Sequence, residues 1–151
     1  MAEFEYQNSE AWNSALKLAA SVGRLKIGSN LKASADAQQR AFEQAGVACA
    51  LIAEAVSREG QAQAGMLRDA RGALAQCRAW LHVLGAVTNE PDAVFGTEFD
   101  LAEAASRQVG GMLRTLDRGP GPVGAPRPPL RAGGPAGPRP GGPPRQAGGP
   151  R

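Results

Sequence analysis

Residues 67–84 read LRDARGALAQCRAWLHVL. Leu67, Ala70, Leu74, Cys77, Leu81 and Leu84 follow one another at alternating steps of three and four. That is the spacing of one face of an α-helix, and it predicts a helix over residues 61–84. Met66, Ala73 and Trp80 add a second apolar strip beside the first. A face this wide exceeds what one neighbouring helix can cover. Upstream, residues 45–56 read AGVACALIAEAV, in which only Glu54 is polar. They belong to a helix predicted over residues 34–58, with a seam of Phe42, Ala45, Cys49, Ile52 and Val56. A helix apolar on nearly every side must be covered on nearly every side. This helix is therefore expected to be both central in its own fold and part of a contact between copies of the chain. Val47, Leu51, Met66 and Trp80 are the candidate residues of that contact.

Two more helices complete the set. Ser9 is placed to cap a helix reaching about residue 25, with Trp12, Leu16, Ala19 and Val22 as its stripe, Leu18 and Leu25 widening it, and Gly28 closing it. Asn89-Glu90-Pro91-Asp92 marks a loop over residues 85–96. Thr97 is then expected to cap a last helix, with Asp100 three residues on and Ala102, Ala105, Val109, Met112 and Leu116 as its stripe. Gly110-Gly111 inside that helix costs about 1 kcal/mol per glycine against alanine and implies close approach of a neighbouring backbone. The fold class expected is all-α: an antiparallel up-down-up-down four-helix bundle over residues 1–118, followed by a disordered C-terminal tail over residues 119–151.

The tail is set apart by composition. Eleven of the 12 prolines and 10 of the 20 glycines lie after residue 118. Arg127, Arg131, Arg139, Arg145 and Arg151 lie there with no acidic residue. The first 118 residues hold 12 of the 17 basic residues and all 14 acids, a net charge of −2. The basic pI of about 9.3 thus belongs to the tail. A basic tail on a near-neutral body points to an anionic partner, RNA or DNA; a solubilising role is the other reading. Without aromatic residues, the tail arginines are expected to attract phosphates but read no bases. Met1 to Tyr6 carries two acids and no apolar core, unlike a signal peptide. No apolar run approaches roughly 18 residues, so no membrane span is expected. Cys49 and Cys77 sit in apolar helical stretches, as buried reduced thiols of a cytoplasmic protein do.

Reaction chemistry finds little footing. His82 is the only histidine, and the residue three before it is Ala79, so no Glu-x-x-His pair exists. Zinc needs more Cys and His than this, and no glycine-rich phosphate loop is present. Neither catalysis, nor a metal, nor a cofactor is expected. A charge pattern remains. Arg68, Arg71, Arg78 and His82 fall in one line along the third helix, with Ala75 filling the gap. A row of cations without an interleaved acid suits a phosphate backbone. Alternatively, these arginines pair with acids of a neighbouring helix such as Glu43 or Glu103. Arg24, Lys26 and Lys32, near the first turn, are candidates to extend the same surface.

Several short motifs resemble one family. Ala11-Trp12 with Ala15-Leu16, Gln39-Arg40-Ala41 with Ile52-Ala53-Glu54, Ala70-Arg71-Gly72-Ala73-Leu74, Cys77-Arg78-Ala79-Trp80-Leu81 and Val109-Gly110-Gly111-Met112-Leu113 are similar to successive helices of that family. It comprises the small bacterial four-helix-bundle proteins encoded in intervening sequences of large-subunit ribosomal RNA genes, together with the accessory variability proteins of diversity-generating retroelements. The likeness covers roughly residues 10–117. Leu51, Ala55 and Gln76 depart from the family's usual Asn, Gly and Glu. The resemblance implies a four-helix bundle. In the retroelement branch it also implies a homopentamer with a basic surface that binds nucleic acid and a reverse transcriptase. The expected function is a non-enzymatic, oligomeric, nucleic-acid-binding accessory protein. The alternative is a protein–protein scaffold, or a ribosomal-RNA-associated bundle that makes no direct nucleic-acid contact.

Overall fold

The computed structural model describes residues 4–119. Four helices make up the body: α1 (Glu10–Arg24), α2 (Lys32–Val56), α3 (Gly60–Thr88) and α4 (Gly96–Arg118). Short 3-10 turns, Glu5–Asn8 and Asp92–Phe95, precede α1 and α4. Among the described residues there is no strand. Each helix packs on two others: α2 on α1 and α3, and α4 on α3 and α1. Side-chain pairings fix the directions. Ser21 of α1 meets Glu98 of α4, and Arg40 of α2 lies over Trp80 of α3. His82 of α3 meets Phe99 of α4. With links this short, consecutive helices run antiparallel, giving the up-down-up-down bundle. The expected tail lies outside the described residues.

The core is rich in alanine. Leu67, Ala70, Leu74, Cys77, Leu81 and Leu84 of α3 are all buried, as the spacing of three and four requires. Opposite them, α2 presents Ala37, Ala41, Ala45, Ala48, Ile52 and Ala55. Small side chains let helix axes approach the short end of the usual 8–10 Å range. The larger side chains of α2 are displaced to the rims. This corrects the expected seam of that helix, where only Ala45 and Ile52 are buried. Phe42 is 41% exposed, and Cys49 and Val56 are half-buried. The stripe turns by about one residue because backbone approach through alanine wins over burial of the bulkiest groups. Phe42 instead packs against α1 at Gly23, with ring carbons 3.2 Å from where a Cβ would stand. On α1, Leu16 is likewise at the surface, 44% exposed, while Ala11, Ala15 and Leu18 join Ala19 and Val22 inside. Cys77 is fully buried, whereas Cys49 is only partly so.

The ends of the helices follow local chemistry. The Ser9 hydroxyl accepts from the Trp12 amide, as a helix cap does. The segment expected as a loop over residues 85–96 is shorter than that. Helix α3 continues through Thr88 and stops at Asn89, which takes the left-handed conformation (φ 56°). After Pro91, the 3-10 turn drives Phe95 into the core at 1% exposure. Gly85 is helical and makes room for this elbow: a Cβ there would stand 3.1 Å from the Glu90 carbonyl oxygen and 3.4 Å from the Phe95 ring. Thr97 caps nothing, because α4 has already begun at Gly96, with Phe95 before it and no side-chain cap. At Gly110 and Gly111 no neighbouring backbone closes in. The nearest atoms are the Arg114 guanidinium nitrogens, at 3.6 and 3.8 Å from the two ideal Cβ positions.

Candidate nucleic-acid interface

The arginine line of α3 borders a groove against α4. Arg68, Arg71, Gly72, Ala75 and Arg78 line one stretch of it with Ser106 from α4. The next stretch is lined by Ala75, Arg78, Ala79 and His82 with Phe99 and Glu103. The two stretches meet at Ala75 and Arg78, which line both parts of the groove. Gly72, Ala75 and Ala79 are its floor, since small side chains on an exposed helix face leave a depression. From residue 68 to 82 the groove runs about 21 Å at the helical rise.

Its charges are unevenly spent. Among the described residues, ion pairs join Lys32 to Asp36 and Arg58 to Glu54, and His82 lies within hydrogen-bond distance of Asp92. Arg68, Arg71 and Arg78 are in none of them. The expected pairing with Glu43 or Glu103 does not form. Glu43 instead accepts from the Gln39 amide at 3.1 Å, and Glu103 sits across the groove near Arg78 and His82. Arg68 and Arg71 are exposed and Arg78 partly so, and a guanidinium without a carboxylate partner keeps its donors for a ligand.

His82 differs from the three arginines. Its Nδ1 is 3.2 Å from Asp92 Oδ1, and its ring centroid is 4.6 Å from that of Phe99, with the planes tilted by 33°. The imidazole is thus held between an acid and an aromatic ring, with its side chain still 56% exposed. The groove therefore has two ends. One is cationic, with Arg68 and Arg71. The other carries a ring pair and two carboxylates.

The structure does not join the remaining basic candidates to this groove. Arg24 and Lys26 line a cleft between α1 and α4 together with Lys17, Ser21 and Glu98. There Glu98 is 4% exposed and accepts a hydrogen bond from the Ser21 hydroxyl. Lys32 is paired with Asp36 at 2.6 Å on the exposed side of α2. No residue is common to these sites and the α3–α4 groove, so the basic turn is a separate feature. Arg127, Arg131, Arg139 and Arg145 lie outside the described residues.

The candidate contact residues fall on the α2–α3 side. Arg40, Val47 and Leu51 lie at seven- and four-residue steps on α2, and Met66, Ala73 and Trp80 at seven-residue steps on α3. The Arg40 guanidinium stands 5.1 Å from the centre of the Trp80 ring, so the two strips adjoin. Val47 is 44% exposed; Leu51, Met66 and Trp80 are half-buried against the core.

Of the α4 half of the groove, the sequence offered Glu103 alone, as a candidate partner of the arginines. Phe99 and Ser106 carried no motif, and only their position opposite α3 gives them a role. Among the described residues, no group of three or more His, Cys, Asp or Glu could hold a metal ion, and no helix is long and apolar enough to cross a membrane. Comparison of the chain with protein-family models, with curated proteins and with solved structures finds no match.

Proposed function

We propose that this bundle is a non-enzymatic accessory module that binds the phosphate backbone of a nucleic acid along the α3–α4 groove. The observation that carries the reading is the line of three arginines, Arg68, Arg71 and Arg78, which form no ion pair among the described residues and line the α3–α4 groove. A body of net charge −2 must bind polyanions locally rather than by its overall field. The tail arginines would add affinity without reading sequence. Self-association through the α2–α3 side would repeat the groove around an assembly. The family resemblance extends the proposal to a homopentamer acting in the cytoplasm beside a reverse transcriptase of a retroelement.

Binding of labelled RNA and DNA, followed by fluorescence anisotropy as salt is raised, tests this. Arg71→Ala and Arg78→Ala should each weaken binding and lower the slope of log K against log salt by about 0.7 to 0.9. Truncation after Arg118 should weaken binding further. Unchanged affinity in all three variants would reject the groove and the tail together.

A second reading rests on the exposed apolar residues Leu16, Phe42 and Val47. They suit a protein–protein scaffold, whose partners would survive nuclease and high salt in a pull-down. Loss of every partner after nuclease treatment would count against it.

A further inference from the structure

The two ends of the groove differ in a way that a backbone-binding surface alone does not need. At the Arg68–Arg71 end a phosphate finds cations and the Ser106 hydroxyl. At the other end it would meet the Glu103 and Asp92 carboxylates, which repel it. The same end offers an imidazole ring already packed against Phe99 at 4.6 Å, its side chain 56% exposed. Ring faces of this kind receive unstacked bases, and histidine serves as such a platform. Carboxylates beside the platform accept hydrogen bonds from the exocyclic amino groups of bases, as Glu and Asp do from cytosine N4.

Building on the groove reading, we propose that the ligand is a single-stranded polynucleotide segment, with its phosphates along Arg68, Arg71 and Arg78 and one base stacked on the His82–Phe99 pair within reach of Glu103. A duplex cannot use the platform, because its bases are stacked on one another inside the helix. The groove's length of about 21 Å has room for roughly four nucleotides, the low end of single-strand site sizes. The acids at the platform favour an amino-bearing base over uracil or thymine.

The test uses the full chain and fluorescein-labelled homopolymers of roughly ten nucleotides. Oligo-C and oligo-U in RNA, and oligo-C and oligo-T in DNA, are compared with a duplex of equal length. Single strands should bind more tightly than the duplex, and cytosine strands more tightly than uracil or thymine strands. Comparable RNA and DNA affinities would mean that the shared chemistry suffices; a gap would assign the ribose hydroxyl a part. His82→Ala should cost single-strand binding about tenfold, the scale of one stacked base, and leave duplex binding unchanged. Glu103→Gln should strengthen binding overall, by removing a negative charge, while erasing the cytosine preference. A merely structural Glu103 would not move the two in opposite directions. Phe99→Leu, which keeps an apolar side chain at the half-buried site, should reproduce the His82→Ala loss with an unchanged circular dichroism melt. If Arg71→Ala weakens binding but His82→Ala does not, the stacking inference falls and the groove reading stands. If duplex binds as tightly as single strand, the inference falls in the same way. If neither substitution matters, the groove reading itself fails.

Discussion

Cys77 and Cys49 show how position on a helix sets the chemistry of a single side chain. Cys77 is fully enclosed on the α3 seam, and burial pushes its thiol up to about 12, with Arg78 pulling it down and Glu98 adding to the rise. Cys49, on the rim of α2, is raised to about 11 by burial alone. Both are therefore neutral thiols at neutral pH and poor nucleophiles. The unfolded reference is 9.0, so below that pH both thiols are protonated in either state and their contribution to stability is complete. Above it, the unfolded chain releases protons that the folded chain keeps, and stability falls as pH rises towards 11 and 12. Thermal melts should accordingly show a midpoint that declines above about pH 9, and Cys49→Ala should remove part of the decline. Under native conditions iodoacetamide should label the partly buried Cys49 well before Cys77, read by peptide mass. Equal labelling rates would mean that the α3 seam is not closed. The sequence placed both thiols alike in apolar text. What it did not contain is the rotation of α2 that leaves one of them at the rim.

That rotation belongs to the element scale. On α3 large and small apolar residues share one clean face, so spacing alone locates all six seam positions. On α2 nearly every position is apolar, so spacing has no contrast to work with, and side-chain size decides: Ala41, Ala45, Ala48 and Ala55 go inside, and Phe42 goes over Gly23. Glycines behaved in the same context-dependent way. Gly85 reads as a helix end but is a helical site under the Glu90 carbonyl and Phe95, while Gly110 and Gly111 read as a close approach and face only the mobile end of Arg114. Substitution to alanine separates the two cases. Gly85→Ala should destabilise by about 1–3 kcal/mol, because backbone at Glu90 must move to admit a Cβ. Gly110→Ala and Gly111→Ala should each stabilise by up to about 1 kcal/mol, the helical preference of alanine over glycine with no clash to offset it. Chemical denaturation of the three variants measures both signs. A stabilised Gly85→Ala would mean that the elbow between α3 and α4 is looser than its contacts indicate.

At the scale of the whole molecule, the α3 half of the groove was readable because charge and periodicity lie along one helix. Of its other wall, Glu103 alone was named from the sequence; Phe99 and Ser106 joined it only through the antiparallel pairing of α4. The proposed self-association likewise depends on how the helices pack. The bundle hides the α3 seam and the alanine stripe of α2, yet it leaves Val47 44% exposed beside half-buried Leu51, Met66 and Trp80. Arg40 covers the Trp80 ring at one end of this strip, which leaves the Val47–Leu51–Met66 end apolar. A partly exposed apolar strip on two adjoining helices is the kind of surface that pairs with a copy of itself. We therefore expect the purified chain to sediment as an oligomer, and Val47→Glu to shift it towards monomer. That substitution puts a charge at an exposed position, so the melting profile of the monomer should stay cooperative. Nucleic-acid affinity should fall with the oligomer, since linked grooves bind one strand with higher effective concentration than separate ones. A wild-type chain that remains monomeric at the highest attainable concentration would remove the assembly. The Arg68–Arg71–Arg78 groove would then have to account for all binding as a single site.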